Sequence, residues 1–159
     1  MRKQKNNMGA APVALLSEMD DFEATIVLYF RLWAEGISGR KALLEEFDRL
    51  FGVVEGSNNV QYFDNLCATV VKNARRPLLK QSLSCNCVGA DERCFAFMIV
   101  LAVDSSFEDC CLIAALITNN EIAGEKVMLA RKVGVLIEKT FNKEHILRKS
   151  LGFESFAVN

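Results

Sequence analysis

The stretch Arg75–Val103, RRPLLKQSLSCNCVGADERCFAFMIVLAV, contains the two features that decide this fold. Its last ten residues, Cys94–Val103, form an apolar run that is too short to cross a membrane and is typical of a buried core helix. Upstream, the segment that ends at Phe95 holds a proline and three of the six cysteines. Because Pro77 prevents a preceding helix from continuing, we predict one long irregular loop at about 77–90 between two helices.

Helical periodicity and capping residues extend outward from this loop in both directions. Helices are predicted at about 17–35, 38–51, 59–74, 91–103, 106–117 and 120–141, with a short terminal helix at 142–151. No stretch shows the alternation expected of a strand. The predicted fold class is therefore all-α, a single compact bundle of about five to seven helices. A flexible basic N-terminal tail (1–16) and a C-terminal tail (152–159) flank the helical domain, 17–151.

The composition limits the possible classes of protein. About half of the 159 residues are apolar and 11 are phenylalanine, which is enough for one buried core. The net charge of −1 argues against a nucleic-acid-binding protein. No apolar run is long enough for a membrane span, and the N-terminus lacks the pattern of a signal peptide. We therefore expect a cytoplasmic protein whose cysteines remain reduced.

The first predicted helix contains the segment IVLYFRLW, residues 26–33, with large apolar side chains around much of its circumference. Such a helix is either buried in the core or exposed at an interface with a partner. The sequence leaves both possibilities open.

The cysteine-rich loop allows three interpretations. In the first, Cys85, Cys87 and Cys94 bind a metal ion such as Zn²⁺, although C-x-C is closer than the usual spacing of zinc ligands. The fourth ligand would come from Cys67, Asp91 or His145. In the second, Cys85 and Cys87 are reactive thiols, because they precede a helix whose N-terminal N–H groups stabilise a thiolate. In the third, the cysteines are only small residues that pack in a turn and in the core.

The charged residues on either side of the loop form a second candidate feature. We expect Arg75 and Arg76 to pair with Asp91 and Glu92, which would join the end of one helix to the start of the next. Gly89 would supply the backbone freedom that the turn requires.

No catalytic arrangement is evident. His145 is the only histidine, and it lies beside Lys143 and Glu144 near the C-terminus. No glycine-rich phosphate loop occurs. The sequence therefore predicts that the protein is not an enzyme.

The residues ARRPL at 74–78, CNCVGADERCF at 85–95 and EDCCLIAALI at 108–117 resemble the signature of a small family of bacterial proteins of unknown function. That family shares A-R-R-P-L, then C-x-C-x-G-A-D-E-x-x-F, then E-D-A-x-L-x-A. The resemblance implies an intracellular helical domain. Its members often have a histidine between the proline and the first cysteine, in the pattern H-x-x-x-C-x-C, whereas this chain has Lys80, Gln81, Ser82 and Leu83 there. If that histidine is a metal ligand in the family, its absence here weakens the metal hypothesis.

Together these features favour a non-enzymatic intracellular helical module that binds or regulates another protein. The alternative is a metal-binding or thiol-redox sensor centred on Cys85 and Cys87. The sequence does not determine the oligomeric state.

Overall fold

The computed structural model describes residues 12–104, 106–119 and 124–150, with the backbone alone at 125 and at 142–150. The predicted all-α class is confirmed: this part of the chain contains six α-helices and one small two-stranded sheet. The elements, in chain order, are β1 (Pro12–Leu15), α1 (Asp21–Ala34), α2 (Ile37–Phe51), α3 (Val53–Lys72), β2 (Cys87–Gly89), α4 (Ala90–Val103), α5 (Phe107–Ile117) and α6 (Gly124–Ser150).

The core forms around α1, which packs against α2 and α4. The rings of Phe30 on α1 and Phe95 on α4 have centroids 4.7 Å apart, and Phe63 of α3 meets Phe95 edge to face. Tyr29 contacts Phe47 of α2 on the other side of the helix. Most of the apolar circumference of α1 is therefore core, and within residues 26–33 only Leu28 is exposed.

Two predicted breaks between helices are wrong. Residues 52–59 were expected to form a loop, but α3 begins at Val53. Gly52 alone reverses the chain, with a φ of +87° that other residues rarely adopt. The predicted break after Phe141 is also absent, because α6 continues to Ser150. At 53–59 the valines, Gly56 and the Ser-Asn-Asn run are poor helix formers, and the packing of α3 against α2 overrides this weak propensity. Most residues from 142 to 150 are good helix formers, so their propensity requires no break.

The small sheet was not predicted. β1 pairs antiparallel with β2, with Leu15 opposite Cys87 and Ala14 opposite Val88. Residues 12–16 were expected to be a flexible tail and are instead ordered by this pairing; residues 1–11 and the predicted tail 152–159 lie outside the described residues. Strands of three and four residues are too short to show a period of two.

None of the described helices combines the length and apolar character needed to cross a membrane.

Candidate functional site

The guanidinium of Arg31 organises the connection between α3 and α4. Arg31 lies in the last turn of α1 and is completely buried. It makes five hydrogen bonds, which equals the number of N–H donors that a guanidinium carries. Two go to Glu92, from Nε to Oε1 at 2.7 Å and from Nη2 to Oε2 at 3.1 Å. The other three go to backbone carbonyls of the loop: Ser82 at 3.1 Å, Cys85 at 2.7 Å and Cys87 at 2.7 Å.

The carboxylate of Glu92 likewise accepts several hydrogen bonds. Besides the two bonds from Arg31, it accepts from the backbone N–H of Gln81 at 2.9 Å and of Gly89 at 3.0 Å. Glu92 is also completely buried. A buried charge is costly unless it is paired and fully hydrogen-bonded, and this pair meets both conditions. The Arg31–Glu92 pair therefore holds the part of the loop before β2, residues 77–86, which has no regular secondary structure.

The other acidic residue in the first turn of α4, Asp91, binds the beginning of the loop. Arg76 donates two hydrogen bonds to Asp91, at 2.7 and 2.9 Å, and the N–H of Leu79 donates a third at 2.8 Å. The expected arginine–carboxylate contact is thus present between Arg76 and Asp91. Asp91 is almost fully buried, whereas half of the Arg76 side chain is exposed.

Two other expectations for this region differ from the structure. Arg75 does not pair with Glu92: its Nε donates to the carbonyl of Thr118 at 2.9 Å, because the end of α3 lies beside the end of α5. Gly89 has a φ of −81°, which any residue adopts, so its expected conformational freedom is not used. Gly89 caps α4, and its N–H is held by Glu92, the third residue of that helix, as in one half of a capping box.

Cys85 and Cys87 lie side by side. Their carbonyls both point to Arg31, whereas the carbonyl of the intervening Asn86 points the opposite way and accepts from the N–H of Leu16 at 2.7 Å. In extended backbone this alternation places side chains two residues apart on the same face. The two thiols are accordingly within hydrogen-bonding reach of each other. Both residues are partly exposed.

The protonation of Cys87 differs from the expected thiolate character. The hydrogen bond with the Cys85 thiol raises the pKa of Cys87, and the charge that Cys85 carries when ionised raises it further. Burial acts in the same direction, and the positive charge of Arg31 opposes it. Cys87 therefore retains its proton more firmly than an ordinary cysteine, despite its position before a helix N-terminus.

Cys94 does not complete a metal site in this structure. Burial raises its pKa, as does the charge of Asp91. Among the residues described, no three His, Cys, Asp or Glu side chains are arranged to hold a metal ion. The side chain of His145 is outside the described set. The zinc hypothesis for Cys85, Cys87 and Cys94 thus remains a prediction.

The remaining cysteines are part of the packing. Cys67 and Cys110 are completely buried, and Cys110 donates to the carbonyl of Met98. Cys111 is partly buried on α5. All six cysteines are thiols.

Arg31 is the one residue at the centre of the site that the sequence did not single out. A signal was present, since Arg31 is the only cation between Ser17 and Glu35 and interrupts an otherwise apolar run. A charged residue on the buried face of a core helix requires a buried partner. The pattern predicts that such a partner exists but not that it is Glu92, 61 residues later.

The fold and site define an all-α domain whose irregular loop is held on a buried arginine and presents two adjacent thiols. Comparisons with protein-family models, curated proteins and solved structures found no match at the threshold of significance. The function is therefore argued from the residues alone.

Proposed function

We propose that this protein is a non-enzymatic, cytoplasmic regulatory module in which Cys85 and Cys87 act as a dithiol redox switch. The observation that carries the proposal is the contact between the two thiols on one face of the loop, with both adjoining carbonyls held by Arg31. A reducing compartment keeps the pair as thiols at rest.

The oxidant in this proposal is a hydroperoxide. The sulfur of Cys85 attacks the peroxide and forms a sulfenic acid, with release of water or an alcohol. The thiol of Cys87 then attacks that sulfur, a disulfide forms, and a second water leaves. The peroxide takes up two electrons, one from each sulfur. A thiol such as glutathione reverses the change by exchange.

The switch acts through the backbone. In an extended segment, residues i and i+2 have Cα atoms about 6.6 Å apart, close to the upper limit of about 6.8 Å for a disulfide. The usual separation in a disulfide is about 5.5–6 Å, so bond formation draws the two residues together while Arg31 holds the carbonyls of both. Oxidation would weaken at least one of these bonds and loosen the loop over α4. A protein partner that recognises the loop would sense this change.

The test is oxidation of the reduced protein with stoichiometric hydrogen peroxide, followed by peptide mass mapping. We expect a disulfide that joins Cys85 to Cys87. Cys87→Ser should accumulate a sulfenic acid at Cys85 that dimedone traps, and Cys85→Ser should form neither product. Cys111→Ser is the matched control, since it also removes one partly buried thiol and should behave like the wild type.

Hydrogen exchange measures the consequence. The amides of Gln81 and Gly89, which Glu92 holds, should exchange faster in the oxidised protein. A strained disulfide should also have a reduction potential above the roughly −300 mV typical of structural disulfides. Oxidation confined to other cysteines, or an 85–87 disulfide with unchanged exchange in the loop, would contradict the switch.

Zinc is the competing ligand for the same sulfurs. Metal analysis of protein purified without chelator separates the two functions. A near-stoichiometric metal content that Cys85→Ser and Cys94→Ser both abolish would favour a metal sensor, because a redox pair needs Cys85 and has no need of Cys94.

A further inference from the structure

A second surface, unrelated to the thiols, lies on the outer face of α5. This helix packs inward on α4 through Cys110, Ala114 and Ile117. On the opposite face Leu112 and Leu116, one turn apart, are 66% and 63% exposed. Isolated exposed leucines are ordinary on a protein surface, but two on adjacent turns of one face form a ridge.

The two ends of this ridge carry opposite charges. Glu108 and Asp109 are exposed one turn before Leu112. At the other end Arg75 and Arg76 lie beside the last turn of α5, where the N–H of Arg75 donates to the carbonyl of Ile117 at 3.1 Å. The described residues of α5 include no cation, so the positive end of the ridge is supplied by the segment that follows α3, where Arg75 adds a positive charge and Arg76 shares its charge with Asp91.

A small cavity of about 140 Å³ opens at the positive end. It is lined by Leu78, Leu116 and Ile117 together with Arg75, Arg76 and Asp91. Its apolar part continues the leucine ridge, and it has room for the tip of an apolar side chain from a partner.

The acidic residues, the leucines and the arginines follow one another along α5 in an order that lets this face pair with a second copy of itself. An α5 of 11 residues is about 16 Å long. If two copies of this helix pack antiparallel about a two-fold axis between Leu112 and Leu116, the leucines interleave at the centre. Glu108 and Asp109 of each copy then face Arg75 and Arg76 of the other. A two-fold interface requires one patch that complements itself, and this face meets that requirement.

We infer that the outer face of α5 is a homodimer interface in which two α5 helices pack antiparallel, with the acidic start of each against the arginines of the other. The charges fix the direction of packing, since a parallel arrangement would place like charges together. The leucines supply the apolar centre.

The test is sedimentation equilibrium of the full chain over concentrations that bracket about 10 µM. We expect reversible dimerisation, with a dissociation constant raised at least about tenfold by Leu112→Asp because a carboxylate would be buried at the centre. Ile37→Asp is the control: Ile37 is 90% exposed at the start of α2, away from this face, and its variant should dimerise like the wild type.

A charge swap separates an interface effect from a folding effect. Arg75→Glu alone, and Glu108→Arg with Asp109→Arg, should each weaken self-association. An equimolar mixture of the two variants should dimerise again, because Glu108 and Asp109 of one face Arg75 and Arg76 of the other, and the introduced glutamate faces the introduced arginines. A monomer at all concentrations, a dimer indifferent to Leu112→Asp, or a mixture that fails to recover would each overturn the inference.

Discussion

Arg31 of α1 and Glu92 of α4, 61 residues apart in sequence, form a completely buried ion pair with Nε and Oε1 2.7 Å apart. Five further backbone groups of the loop bind to this pair, so the pair joins α1, α4 and the loop at one point. The position of the two thiols depends on it.

The first prediction concerns the removal of one partner. Arg31→Met should lower the free energy of unfolding by about 3–5 kcal/mol, because it leaves the Glu92 carboxylate buried and without its counter-ion. Urea denaturation measures the change. Glu46→Gln, which breaks the exposed pair with Arg49, is the control and should cost less than about 1 kcal/mol.

The double variant Arg31→Met with Glu92→Leu distinguishes charge from loop anchoring. Apolar replacement of both members of a buried ion pair often restores stability. Here it should not, because the carbonyls of Cys85 and Cys87 would lose the donor that Arg31 supplies, and that of Ser82 would keep only the N–H of Cys85. Recovery of wild-type stability would show that the pair does not anchor the loop.

The second prediction concerns Arg76. Arg76→Ala should destabilise the protein by about 1–3 kcal/mol, since Asp91 is buried and would keep only the N–H of Leu79. The bidentate bond with Asp91 also raises the pKa of Arg76 above its already high value, so the pair should persist across the working pH range. Lys80→Ala, which removes a partly exposed partner of Glu35, should change thermal stability much less. Equal losses in the two variants would contradict the prediction.

The third prediction is a pH dependence that arises from Cys110. Burial raises the pKa of its thiol to about 11, with a smaller contribution from the charge of Cys111. The folded protein therefore keeps a proton that the unfolded chain loses at about pH 8.5. This contribution to stability is complete below that pH and is lost as the pH rises towards 11.

Between about pH 8 and about pH 10, the free energy of unfolding should fall by about 2 kcal/mol more in the wild type than in Cys110→Ala. Other groups titrate in this window, so the difference between the two proteins, measured in urea at each pH, is the quantity to compare. Cys111→Ala should retain most of the wild-type slope. Parallel slopes for wild type and Cys110→Ala would mean that the thiol does not resist ionisation.

The fourth prediction concerns the close approach of α2 and α3. A Cβ on Gly56 would lie 2.7 Å from the backbone N and Cα of Asp48, which cannot move aside without displacing α2. Gly56→Ala should therefore destabilise the fold by about 1–3 kcal/mol, although alanine is the better helix former by about 1 kcal/mol. Gly124→Ala, where a Cβ meets nothing within 4 Å, should be neutral or stabilising. The melting temperatures of the two variants, each compared with that of the wild type, test this prediction.

Most residues of the site could be located in the sequence, but the partners to which they bind could not all be predicted. The sequence pattern showed the loop after Pro77, the two cysteines of the C-x-C motif and the two acidic residues at the start of α4. The pairing of Arg76 with Asp91 followed from their positions at the two ends of that loop. By contrast, the choice of Arg31 as the partner of Glu92 depends on how α1 packs against α4, which no local pattern records.

The amino-acid sequence by itself determined which segments become helices and which faces of them are apolar, because propensity, periodicity and capping act over a few residues. It also placed two cysteines, two residues apart, in the loop that follows Pro77. The tertiary structure alone decided that α3 would begin directly after Gly52, that Pro12–Leu15 would become a strand, and that Arg31 would hold the loop. Each of these outcomes depends on a partner remote in sequence or on the space between packed helices, and such partners exist only after the chain has folded.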